Sequence, residues 1–216
     1  MTPQQGARII KVAPERLAGW LDGFAERHGT PAVEVADDRV TLRAPDGAEA
    51  SLALVWGPLP AGEPLVTLVS EFLRPRRVGG LIARQKAHAV GIFDGARLVT
   101  GRHGSHYVQG RTKAGGWSQQ RYARRRANQA GRSFDAAAED AAEILLPQLG
   151  RLEALMVGGD RTAVAAVLAH PDLAGLAELR LRHGSGVLAV PDPNAGVLAG
   201  FGGIFRRVGI ELNQLA

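Results

Sequence analysis

Residues 86–112, KAHAVGIFDGARLVTGRHGSHYVQGRT, restrict the fold more than any other part of this 216-residue chain. Apolar residues run through the segment in short stretches. Asp94-Gly95 and His103-Gly104 interrupt them, and such pairs favour tight turns between antiparallel strands. Three strands joined this closely must share one sheet. The hydrophobic period then changes. Phe134, Ala138, Ala141, Ala142, Leu145 and Leu149 recur at helical spacing and mark the buried stripe of a helix of about 25 residues, from about Ser118 to Leu146 or beyond. LEALMVGGD, residues 152–160, is a buried strand leading into a helix, RTAVAAVLAHP. LAELRLRH, residues 176–183, reads as another strand, and residues 186–212 are glycine-rich and poorly periodic. Three antiparallel strands followed by α-β-α-β give an α/β (α+β) arrangement, a mixed sheet covered by helices of ribonuclease H-like type.

The N-terminal third has its own pattern. PERLAGWLDGFAERH, residues 14–28, spaces Leu17, Trp20, Leu21 and Phe24 as one face of a helix, with Pro14 opening it. Residues 32–57 alternate apolar and polar side chains around Asp-Asp and Pro-Asp-Gly turns, the mark of short antiparallel strands. Prolines at 58, 60 and 64 break the pattern, residues 64–72 form a short strand or helix, and RPRRVGG reads as a linker. The expected organisation is an α+β region over residues 1–78 and a second domain over 79–216.

Charge is distributed unevenly. Between Asp94 and Asp135 lie nine basic residues and no Asp or Glu, so the remainder of the chain is net acidic although the whole carries +5. A preference for arginine over lysine explains the residue type but not the missing acids. The segment therefore reads as a footprint for a polyanion, with nucleic acid or ribosomal RNA favoured over a merely solvated face. The absence of cysteine removes disulfides and thiolate metal sites and fits a reducing cytoplasm. No apolar run is long enough to span a membrane, so a cytoplasmic protein without membrane contact is expected. A monomer is the default expectation.

Within the basic segment, residues 106–130 read HYVQGRTKAGGWSQQRYARRRANQA. Gly115 and Gly116 let backbone approach a ligand closely. Gln119 and Gln120 offer amide donors and acceptors that do not titrate near neutral pH. A glutamine is a poor general base, but it can place a water or donate toward developing negative charge. Arg111, Lys113, Arg121, Arg124, Arg125 and Arg126 are suited to phosphates, and Trp117 either stacks on an RNA base or plugs the loop against its own domain.

This strand-loop-helix resembles the catalytic loop of the Vms-one-like release factor family, in particular its actinobacterial peptidyl-tRNA hydrolase branch. That family is related to the catalytic middle domain of archaeal and eukaryotic release factors, which carry a Gly-Gly-Gln loop. The resemblance covers roughly residues 80–185 and leaves the N-terminal third unmatched. It implies hydrolysis of the ester between nascent peptide and tRNA on a stalled ribosomal large subunit, with peptidyl-tRNA as substrate and no cofactor. It further implies a loop of Gly115, Gly116 and a water-placing glutamine. Trp117 departs from the family pattern by separating Gly-Gly from Ser-Gln. The match assigns Gln119, with Gln120 taking the role if the loop is shifted by one.

Other chemistries fit less well. A non-catalytic RNA- or ribosome-binding module shares the charge pattern but would tolerate loss of the glutamines. A ribonuclease H-like nuclease needs carboxylates converging on two metals. Asp94 and Asp160 sit near strand ends, but the strand KAHAVGIF contains no acid, and Asp135, Glu139, Asp140 and Glu143 read as the solvated face of a helix. His88, His103 and His106 lack enough companions for a metal site. GFGGIF lacks the context of a dinucleotide loop, and Ser118 lacks a nucleophile elbow.

Overall fold

The computed structural model describes residues 8–105, 118–183 and 186–216, with side chains for all of these except 118–130 and 181–183. Arg111, Lys113, Gly115, Gly116 and Trp117 lie outside the described residues, as does His106. The chain divides into two compact units, Met1–Arg74 with Arg206–Ala216 and Pro75–Phe205. Together the described residues form a mixed α+β protein with two sheets and six α-helices.

The first unit contains β1 (Arg8–Val12), α1 (Leu17–His28), β2 (Ala32–Val35), β3 (Arg39–Arg43), β4 (Glu49–Ala53), α2 (Pro64–Leu73) and β9 (Val208–Leu212). Its five strands are ordered β1-β9-β4-β3-β2, and every pairing is antiparallel. One sheet face supplies Val40, Leu42, Ala50, Leu52, Val208 and Ile210 to a core closed by Leu17, Leu21 and Phe24 of α1 and Leu68 of α2. The alternating pattern of residues 32–54 therefore does what a half-buried sheet requires. Glu63 opens α2, accepting hydrogen bonds from the backbone N–H groups of Leu65 and Val66 at 3.3 and 2.7 Å. The last strand, β9, lies in the glycine-rich, poorly periodic tail. Val208–Leu212, placed with the second region by its sequence position, pairs with β1 on one side and β4 on the other.

The second unit holds β5 (Arg77–Ala83), β6 (Ala87–Asp94), β7 (Arg97–Ser105), α3 (Ser118–Leu145), β8 (Ala154–Gly159), α4 (Arg161–Leu168), α5 (Ala174–His183) and α6 (Ala195–Phe205). Its sheet order is β7-β6-β5-β8, with β5 and β8 parallel and the other neighbours antiparallel. The expected mixed sheet with covering helices is present. On one face Leu81, Val90, Ile92, Leu155 and Val157 pack under Ala137, Ala138, Ala141 and Leu145 of α3, joined by residues of α4 and α5. On the other face glycines make room for α6. A Cβ at Gly80, Gly91, Gly101 or Gly158 would come within 3.4 Å or less of Leu198 or Phe201. Both faces of β5 and β6 are thus buried, which explains their nearly continuous apolar sequence.

Three local expectations change. LAELRLRH is part of the helix α5, because Leu173, Leu176 and Leu179 reach the same core at helical spacing. Strand β5 starts inside RPRRVGG, where the buried Arg76 bonds Glu153 Oε2 at 2.7 Å and ties the start of β5 to that of β8. His103-Gly104 makes no turn, since β7 runs through it to Ser105.

Candidate functional site

Residues 106–117, which include Gly115 and Gly116, lie in sequence between the end of β7 at Ser105 and the start of α3 at Ser118. Gln119 and Gln120 occupy consecutive positions in the first turn of α3, and Arg121, Arg124, Arg125 and Arg126 follow within the same helix. About 22 Å of helix axis, at 1.5 Å per residue, separates Ser118 from Ser133, which is buried. The sequence expectation of a helix starting near Ser118 thus places both glutamines and the four arginines on one continuous element.

The ends of β7 and α3 are joined by a cluster that sequence reading missed. Arg102 on β7 donates through Nη1 to Asp140 Oδ1 at 2.7 Å, and through Nη1 and Nη2 to the two oxygens of Glu143 at 2.6 and 2.7 Å. His88 of β6, 2% exposed, shares a 2.8 Å hydrogen bond between its Nε2 and Asp140 Oδ2. Asp140 and Glu143 are one helical turn apart, so a single guanidinium spans both. Burial alone would raise the Asp140 pKa, but the bonds from His88 and Arg102 outweigh it and hold the carboxyl below its usual range. The same guanidinium lowers Glu143, and both acids raise Arg102.

Local packing explains why this cluster exists. His88 follows the parity of Val90 and Ile92 and so faces α3 beside the apolar middle of the strand. Gly104 is its cross-strand partner, and a Cβ there would lie 2.6 Å from the imidazole Cε1. The glycine is needed for the space the ring takes rather than for a turn. Asp140, expected on a solvated face, is instead fixed beneath α3, with a side chain 17% exposed. The available signal was the lone His in a strand buried on both sides. Its Asp partner lay 52 residues away and had no local signature.

This cluster also refines the charge reading. Of the nine basic residues, Arg97 pairs with Asp94 at 3.6 Å and Arg102 is engaged by Asp140 and Glu143. Both hold the sheet edge together. Among the described side chains of the acid-free segment, His103 is exposed on β7 with no ion pair to the described residues.

The two acids considered for metal-dependent nuclease chemistry do not converge. Asp94 aligns with Arg77 at the start of β5, whereas Asp160 follows Gly159, which aligns with Ala83 at its end. Those ends are about 20 Å apart at 3.3 Å per residue. Asp94 lies 3.8 Å from Arg77, and Asp160 lies 3.8 Å from Arg84.

Comparison with known proteins bears on the same elements. The family model described as Actinobacteria/chloroflexi VLRF1 release factor matches residues 76–211, more than half of the chain and the whole stretch from the start of β7 to the end of α3. Comparison with curated proteins finds no match. Among solved structures, an archaeal translation termination factor, aRF1, is similar with a TM-score of 0.42 and 14% identity, covering 74% of this chain and 47% of that one. A structure described as an archaeal protein has a TM-score of 0.43 and 13% identity, covering 93% of this chain and 64% of its own. This chain spans less than two thirds of the length of either.

Proposed function

The chain belongs to the Actinobacteria/chloroflexi VLRF1 release factor family, and from that premise we propose that it is a peptidyl-tRNA hydrolase acting on nascent chains held by stalled ribosomal large subunits. The observation that carries the reading is the family match across residues 76–211, which includes the Gly-Gly-Trp-Ser-Gln loop and the basic helix after it. The substrate is an ester between the peptide carboxyl and a ribose hydroxyl of tRNA. Water attacks the carbonyl carbon, the bond to the ribose oxygen breaks, and that oxygen leaves with a proton. A glutamine amide does not titrate, so its contribution is placement of the water and donation toward the developing oxyanion. Gln119 has this role, with Gln120 as the neighbour that takes it if the loop register shifts. Gly115 and Gly116 allow close backbone approach to the ester. Arg111, Lys113, Arg121, Arg124, Arg125 and Arg126 neutralise RNA phosphates, while Trp117 supplies a surface for stacking.

Stalled large subunits carrying labelled peptidyl-tRNA provide the test. Wild-type protein releases the peptide, and Gln119→Ala reduces the single-turnover release rate by about 100-fold or more, the effect of losing one well-placed donor. Undiminished release by both Gln119→Ala and Gln120→Ala would falsify the glutamine mechanism. Binding to the subunit without any release by the wild type would leave a non-catalytic ribosome-binding module.

A further inference from the structure

The first unit contains a feature that the hydrolase reading does not use. Lys11, Arg16, Gly19, Trp20, Arg27 and Arg207 are among the residues that line an open groove of about 800 Å³. Its electrostatic balance is one-sided. Glu15, the single acid in the lining, is held by Arg206 Nη1 at 2.8 Å. Lys11, Arg16, Arg27 and Arg207 are exposed and form no ion pair with the described residues. The acids of α1, Asp22 and Glu26, do not line the groove. Four cations lining one groove with no ion-pair partner among the described residues repel one another, and a polyanion relieves that cost.

The shape of the floor adds to the charge. Gly19 and Gly23 are one helical turn apart on α1, and beside them Trp20 is half-buried, packing against the core of this unit with its ring stacked on that of Phe24 at 5.6 Å and lining the groove with the remainder. A Cβ at Gly19 would meet nothing within 4 Å, and one at Gly23 would meet only the Arg27 guanidinium. Packing within the protein therefore does not require either glycine, although glycine is the poorest helix former after proline. Bare helix beside an indole, flanked by arginines, is a surface that a flat ring and a phosphate chain can approach together. Arg16 and Arg27 are about 16 Å apart along the helix axis, which accommodates a short run of nucleotides.

We infer that this groove binds unpaired RNA, with a base stacked on Trp20 and backbone phosphates on Lys11, Arg16, Arg27 and Arg207. Unpaired rather than duplex RNA is specified because stacking on an indole requires an unstacked base. The groove gives the N-terminal unit a nucleic-acid contact made only of its own residues.

The test uses the full chain and a short fluorescein-labelled oligouridylate, read by anisotropy over a range of salt concentrations. Arginines after the loop contribute binding in every variant, so the deciding quantity is the salt slope. Arg16→Gln with Arg27→Gln lowers the slope of log K against log salt by about 1.4, two phosphates at about 0.7 each. Trp20→Leu weakens binding at least about fivefold. Gly19→Ala with Gly23→Ala raises thermal stability yet weakens binding, which separates the effect from misfolding. An unchanged slope in the arginine variant overturns the inference. So does a polyglutamate competitor that displaces the protein as well as unlabelled RNA does, since that marks an acidic protein as the partner. Anisotropy does not read ester cleavage, so this inference and the hydrolase reading fail independently.

Discussion

Asp140 shows how one side chain acquires a role through its neighbours. On the helix alone it is a surface acid. In the folded unit it accepts from both a buried imidazole and a guanidinium. Replacing it with Asn leaves the shape nearly unchanged but removes charge-assisted bonds, each worth about 1.5–3 kcal/mol. Asp140→Asn is therefore expected to lose about 1–3 kcal/mol in urea unfolding. The pH dependence has a fixed sign. Asp140 and Glu143 have folded-state values below the ordinary 3.8 and 4.5. Their contribution is complete above those ordinary values and is lost as pH falls through the lower, folded-state ones. The wild type should lose stability between about pH 5 and pH 3 more steeply than Asp140→Asn, since the variant has given up part of that proton linkage. Equal slopes for the two proteins would show that the cluster stores no such energy.

Helix α6 makes the corresponding point for an element. GVLAGFGGIF contains too many glycines for helix propensity to favour it, so packing must stabilise it. Phe201 stacks edge-to-face with Phe93 at 6.2 Å and with Phe205 at 5.4 Å, and the sheet glycines open the space beneath it. Two glycines of this helix answer differently to the same substitution. A Cβ at Gly202 would lie 2.2 Å from the backbone oxygen of Ala96, whereas one at Gly200 would meet nothing within 4 Å. Gly202→Ala should destabilise by about 1–3 kcal/mol, as overpacking against backbone does. Gly200→Ala should stabilise by about 0.5–1 kcal/mol through lost unfolded-state entropy. Urea midpoints for the pair check both signs; the same sign for both would mean that α6 does not dock as described.

For the whole molecule, the notable feature is chain routing. The first unit is closed by Val208–Leu212, which arrives after the entire second unit and inserts between β1 and β4. Without it β1 has no partner among the described strands, and β4 loses one edge. A chain ending at Phe205 should therefore lose hydrogen-exchange protection over Arg8–Val12 and much of Glu49–Ala53, while Arg77–Asp94 keeps its protection. Retained protection at β1 would contradict the pairing. No helix among the described residues is long and apolar enough to cross a membrane.

The sequence alone determined what depends on local order. Alternation fixed the hairpins of residues 32–54, helical spacing fixed α3 and its buried stripe, and the acid-free segment with Gly-Gly-Trp-Ser-Gln identified the region matched to release factors. Those signals lie within a few residues of one another and survive without knowledge of the fold. Tertiary structure decided the rest. LAELRLRH has a period short enough to suit strand or helix, and only the core it joins makes it helical. Gly104 reads locally as a turn residue, whereas in the fold its missing side chain leaves the space that the His88 ring takes. The partnership of His88 with Asp140 and the return of β9 to the first sheet span 52 and about 200 residues, distances over which no sequence pattern repeats. Contacts that far apart are chosen by which surfaces remain to be buried once the local elements have formed.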